Sequence, residues 1–216
     1  MNNNFQLTDD EVVAAALSLG NSWPHVLPTV DLESRALLDA NDRGARSLVV
    51  RKLAQSSSEG FAIDGSLSSL VSRACGAPAT VMAYIADNSN PQLLVGTSVF
   101  AFLSDQELSD DVLDIVSPGG IHDLAEMPRN EAVDLFLRVI NAAFVHGITR
   151  ADNSEMSPVF LVKSTLSESW MNVSQASVEF GVLNTGDAGS FFAASSSSNV
   201  WDVAQIKTAL GLDALV

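Results

Sequence analysis

Twice along the chain, a set of short apolar runs with strand character gives way to a single amphipathic helix. The first set is "ATVMAYIA", "QLLVGTSVFAFLS", "DVLDIVSP" and "GGIHDLAEM", with "DNSNP" as turn chemistry between the first two. It leads into a helix predicted from about Pro128 to His146. Val133, Phe136, Leu137, Ile140 and Phe144 recur there at helical spacing, Asp134 and Arg138 form an i,i+4 pair, and Gly147 ends the helix. After the polar bridge "TRADNSEMSP", the runs "VFLVKST", "SWMNVSQASVEFGVLN" and "SFFAASS" precede a closing helix in "NVWDVAQIKTALGL". Asn199 is its predicted cap and Gly211 its stop. Runs of strands flanked by helices predict an α+β fold: a mostly antiparallel sheet with helices packed on one side. The recurrence predicts one domain built from two similar strand-then-helix halves, 1–147 and 148–216, related by a pseudo-two-fold axis.

The front of the chain reads as helices. "LTDDEVVAAALSLGN" opens with Thr8 as N-cap and places Asp9, Asp10 and Glu11 at the positive end of the helix dipole. Pro24 and Pro28 keep "SWPHVLPT" out of helix, and Trp23 there reads as a core lid. "DLESRALLDAND" is a second helix capped by Asp31, with Leu32, Ala36 and Leu37 on one face. Gly44 separates it from "RGARSLVVRKLA", which fits strand and helix equally, and "QSSSEG" reads as a loop. "IDGSLSSLVSRACGAP" is a further helix with a Leu67, Leu70, Val71 and Ala74 stripe, closed by Gly76 and Pro78.

Composition excludes several classes of function. With 47% hydrophobic and 17% charged residues, the chain has the material for a sizeable core and lacks the signature of disorder. A net charge of −15 repels phosphate backbones, which argues against nucleic-acid binding. No Lys or Arg lies between Arg73 and Arg129, whereas Asp105, Glu107, Asp110, Asp111, Asp114, Asp123 and Glu126 do, which predicts a solvated acidic rim. Basic residues gather at Arg43, Arg46, Arg51 and Lys52. The single cysteine, Cys75, excludes an internal disulfide and reads as a buried, inert thiol. "MNNNFQLTDDE" lacks the basic and apolar regions of a secretory signal, and no uncharged apolar run reaches the ~18 residues of a membrane span. A cytoplasmic location is the expectation.

The stretches with a catalytic outline fail on inspection. "GDAGS" at 186–190 has the shape of a serine-protease nucleophile loop, but Ala188 holds the nucleophile's place and offers no oxygen. It also lacks the lysine and following helix of a phosphate cradle, so it reads as a bend between strands. In "SPGGIHDLAEMP", Gly119 and Gly120 stand beside His122 and Asp123, yet neighbours on a strand point to opposite faces. His25 sits in a Pro-rich connector, and His146 near a helix C-terminus compensates the dipole. No zinc spacing such as His-Glu-x-x-His occurs, and "SDQELSDDVLD" lacks the glycine and terminal glutamate of a calcium loop. The expectation is no catalytic residue, no cofactor and no metal.

Laid end to end, the segments resemble one family. "LTDDE" on an N-terminal helix, a Trp-Pro segment and an Ala/Leu helix precede "AIDGSLSSLVSRACGAPATVMAYI", a hairpin and "IVSPGGIHDLAEMPRNEAVDLFLRVI". The Asp64-Gly65 start, the Leu67, Leu70 and Val71 helix, Pro78 and a strand containing Val81 are the most specific part. A strand, a Gly turn, Leu124, Pro128 and an amphipathic helix follow in order. This pattern, over much of 5–146 and again in "VEFGVLNTGDAGSFFAAS", resembles the EspG family of actinobacterial type VII (ESX) secretion systems. The resemblance implies an α+β fold of two similar subdomains and a non-enzymatic cytosolic chaperone or adaptor that binds helical PE–PPE-like substrates before export. It brings no functional residue with it. Phe100 and Phe102 on the long strand, or Trp170 and Met171 in the second half, are the candidate partner contacts, with core packing as the competing reading. Two rivals stand beside it: a small hydrolase using His122, and a structural or regulatory domain that homodimerises through an edge strand.

Overall fold

A computed structural model describes residues 4–25, 27–31, 33–58, 60–87, 90–94, 97–104, 110–146, 158–165, 169–182 and 196–215. The architecture follows from one strand. β6 (Ser98–Leu103, "SVFAFL") is buried at all six positions, and β7 (Asp111–Val116) is nearly so. A strand with apolar residues at both parities must be covered on both faces. Accordingly Val99, Ala101 and Leu103 pack under α4 (Arg129–His146) and α5 (Val203–Ala209). Phe100 and Phe102 pack under α1 (Asp9–Ser18), α2 (Ser34–Val50) and α3 (Gly65–Cys75). The α+β class and the antiparallel pairing are as expected, but the helices occupy both faces of the sheet, not one.

The remaining strands are β1 (Asn4–Thr8), β4 (Ala79–Asp87), β5 (Asn90–Leu94), β8 (Ile121–Met127), β9 (Pro158–Ser164), β10 (Ser169–Ser174), β11 (Ser177–Val182) and β12 (Ser196–Ser198), with β2 (Ala54–Ser57) and β3 (Gly60–Ile63) as a separate hairpin. Every described pair is antiparallel, in the order β1-β8-β7-β6-β4-β9-β10-β11-β12, with β5 on β4. Outward from the central β4–β9 pair the order is the same on both sides: β4-β6-β7-β8 then α4, and β9-β10-β11-β12 then α5. An axis through that pair, normal to the sheet, would exchange antiparallel neighbours and keep both helices on one face, as the shared α4–α5 core requires.

Local signals were partly overridden. Thr8 caps α1 in a capping box with Glu11, Asp64 caps α3, and Gly211 stands past α5 at φ +72°. Asp202, not Asn199, caps α5, accepting from the amides of Ala204 and Gln205. Asp31 does not cap α2 either; Glu33 holds that place, and Asp31 accepts from its amide. α2 runs straight through Gly44, because that glycine is where α2 touches α1: a Cβ there would collide with the Asp10 carbonyl. Gln55, Ser56, Ser57 and Gly60 pair in the β2–β3 hairpin, where a loop was expected. Arg138 Nε meets the carbonyl oxygen of Asp134, 3.4 Å away, where a side-chain pair was expected. The bend at 186–190 lies outside the described residues.

Candidate functional site

The N-terminal turn of α1 supplies three carboxylates, and each has its own partner. Glu11 accepts from the Thr8 amide, from Ser47 Oγ and from Arg51. Asp10 takes a two-pronged Arg43 contact at 2.7 and 2.8 Å. Asp9 points inward, where it accepts from the Thr29 amide (2.6 Å) and hydroxyl (2.7 Å). Gly120, at φ +70°, lets the chain turn against it; the Gly120 carbonyl accepts the Asp9 amide, and a Cβ there would meet Asp9 and Thr29.

β7 and β8 bring the other half of this cluster. Their register pairs Asp114 with Leu124 and Val116 with His122, so Asp114 and His122 are diagonal neighbours on one face. His122 is fully enclosed, with Nδ1 2.7 Å from Asp114 Oδ2 and Nε2 2.7 Å from Asp9 Oδ1. Both contacts are satisfied when the imidazole is charged and donates from both nitrogens. Burial opposes that charge, but the hydrogen bonds and the fields of the two aspartates outweigh it and lift His122 to about 9. Burial likewise favours neutral Asp9 and Asp114, and the bonds they receive overcome it, so both lie below the usual carboxylate range.

The connector between α1 and α2 closes the cluster. His25 lies flat on Phe100, rings 3.7 Å apart and 4° from parallel, and Trp23 sits edge-on to His25, Phe102 and His122. His25 Nε2 is 2.9 Å from Trp23 Nε1 and 3.1 Å from Asp114 Oδ2. It accepts from Trp23 only when bare and donates to Asp114 only when protonated, so the two contacts cannot both be hydrogen bonds. Asp114 Oδ1 is buried with no hydrogen-bond partner among the described residues. Donor atoms of His25, Asp114 and His122 lie within 4.8 Å of one another, the set with metal-ligand character among the described residues.

The expected partner contacts are elsewhere than a partner needs them. Phe100, Phe102 and Trp170 are each 2% exposed and Met171 is 0% exposed. All four are core residues, because two-sided burial of the sheet encloses both parities of its strands. Trp170 lies across Gly181, its register partner on β11, where any Cβ would strike the indole. The acidic stretch is likewise not only a rim: Asp111 and Asp114 are buried, Asp111 against Arg129, while Asp110 and Asp123 are exposed. Cys75 is half-buried, and burial pushes its thiol up to about 11, which suits an inert residue. His122 offers neither ring nitrogen to a hydroxyl nucleophile, since both face carboxylates.

What does reach the surface is a groove beside α4. Met127, Leu135, Leu137, Trp201 and Val203 form its apolar part, and Glu131, Asp134, Arg138 and Asn141 its polar border, around a volume of about 680 Å³. Val203 and the neighbouring Val200 are exposed to 42% and 69%. Neither feature was legible beforehand. His25, Asp114 and His122 lie far apart or off any ligand spacing, and Trp201 reads as one more apolar position of the closing helix. No family model matches the chain, and no curated protein matches it. Among the described residues, no helix is long and apolar enough to cross a membrane.

Proposed function

We propose that the protein is a non-enzymatic chaperone or adaptor that holds an apolar helical segment of another polypeptide in the groove between α4 and Trp201. The groove is the observation that carries the reading. A helix about 10 Å across with a pitch of about 5.4 Å fills roughly 420 Å³ per turn, so the groove suits roughly one and a half turns. Trp201, Leu135 and Val203 supply an apolar floor with an aromatic anchor. Glu131 and Asp134 on the border, within a chain of net charge −15, favour a helix with basic residues beside its apolar face. The EspG resemblance names the partner class, helical type VII secretion substrates of the PE–PPE kind met in the cytosol, and the mirrored strand order suits the paired subdomains that it implies.

The test is titration of a purified PE–PPE-type heterodimer into the protein, read by calorimetry and by the fluorescence of Trp201 in a Trp23→Phe, Trp170→Phe background. Binding is expected, and Leu135→Glu together with Val203→Asp should abolish it. Unchanged affinity in that double variant would move the partner off the groove. Turnover of a small compound that disappears in His122→Ala would replace the reading with a hydrolase.

A further inference from the structure

We propose that His25, His122 and Asp114 form a closed binding site for a divalent cation of the zinc class. Three observations converge on it, independently of the groove. The donors are two imidazole nitrogens and a carboxylate, a set suited to such ions, and they face one another within 4.8 Å. Asp114 Oδ1, buried and without a hydrogen-bond partner among the described residues, stands ready as a fourth donor from the same carboxylate. Asp9 Oδ1 lies 2.7 Å from His122 Nε2, the arrangement in which a carboxylate orients a metal-bound imidazole through its second nitrogen.

Charge points the same way. With His25 Nε2 bare, as acceptance from Trp23 requires, the enclosed groups sum to one negative charge: two aspartates against one imidazolium. A divalent cation that takes the place of the proton between His122 Nδ1 and Asp114 Oδ2 brings the sum to zero, and that proton leaves to solvent. It also turns the mismatched His25–Asp114 contact into two ligands of one ion. Tetrahedral ligands at zinc distances stand about 3.3 Å apart, so the 2.7 Å His122–Asp114 pair must open by roughly 0.6 Å. The Trp23 hydrogen bond yields in the same step, and half-buried Trp23 on the α1–α2 connector is the ring that turns. Enclosure and the four-donor set make the site a structural one, which fastens the connector to β7 and β8.

The experiment titrates the chelator-treated full chain with zinc chloride and, separately, cobalt chloride and magnesium chloride. About one equivalent should bind, the melting temperature should rise, and cobalt should give the visible bands of a four-coordinate ion. His25→Gln keeps the Asp9–His122–Asp114 bonds and should fold, as near-UV dichroism checks, but should lose the cobalt bands and the stoichiometric zinc. Asp9→Asn should weaken zinc roughly tenfold to a hundredfold. Binding of less than one equivalent, an equal preference for magnesium, or binding that His25→Gln leaves intact would each overturn the assignment.

Discussion

On the face of the sheet that carries Phe100 and Phe102, the three N-terminal helices and their connector enclose two carboxylates and an imidazole cut off from solvent. On the face that carries Val99, Ala101 and Leu103, the cluster under α4 and α5 is apolar, and its buried carboxylate, Asp111, is held at the head of α4 by Arg129. Directional bonds at 2.7 Å between ionised groups have one satisfactory arrangement, whereas apolar contacts tolerate small shifts of the surfaces that make them. The difference separates two tasks. The charged face fixes how the N-terminal third sits on the sheet, and the apolar face is where the proposed partner's side chains would be accommodated.

The strongest way to break this contrast is to remove its centre. His122→Leu leaves Asp9 and Asp114 buried without the cation that bridges them, and stability at pH 6 should fall by about 3–5 kcal/mol in urea unfolding. Ile140→Val on the apolar face should cost about 0.5–1.5 kcal/mol, and equal losses would erase the distinction. Next in size is the pH profile. His122 is raised from 6.5 to about 9, so its share of stability, on the order of 3 kcal/mol, is complete below 6.5 and is lost as pH rises through 9. Asp9 and Asp114 are lowered, so their share is complete above the ordinary carboxylate range and is lost as pH falls beneath it. Thermal unfolding from about pH 2 to about pH 10 should therefore decline toward both ends, and His122→Leu should flatten the alkaline limb.

The same contrast explains what could be read in advance. "LTDDE" announces a capped helix, and Thr8 and Glu11 form the box. That its three acids also reach Thr29 and His122, Arg43, and Ser47 and Arg51 depends on contacts with residues 20 to 113 positions away, which no local spacing encodes. The expectation of helices on one face rests on the order of strands and flanking helices, whereas "SVFAFL", apolar at both parities, is the stretch that calls for cover on both faces. The aromatic residues taken as partner contacts belong to that same buried strand or, for Trp170, to a slot made by Gly181. Gly44 was read as a break because glycine weakens helices, but close approach of two helices calls for it equally.

Gly44 sharpens the comparison at its periphery. Gly44→Ala adds helix propensity to α2 but sets a methyl group into the Asp10 carbonyl, so α1 and α2 must part. A net loss of about 1–3 kcal/mol is expected by chemical denaturation, with the Arg43–Asp10 and Arg51–Glu11 pairs loosened together. A stabilised Gly44→Ala would mean that the two helices are not held as closely as the charged face requires.

The smallest effect on stability should come from the groove, and that smallness is what the proposed function needs. Val203 opens α5 with 42% of its surface exposed beside Trp201, so it contributes little to the core that Ile206 and Leu210 anchor behind it. Val203→Asp should change unfolding by no more than about 0.5 kcal/mol, as surface substitutions do. A negative charge on the groove floor must nevertheless be desolvated by any apolar helix that docks there, which should weaken a partner by roughly tenfold or more. A residue whose replacement is nearly silent in folding and costly in association marks a surface kept for another molecule. If Val203→Asp instead unfolds the protein, α5 belongs to the closed core and the two faces differ less than their side chains suggest.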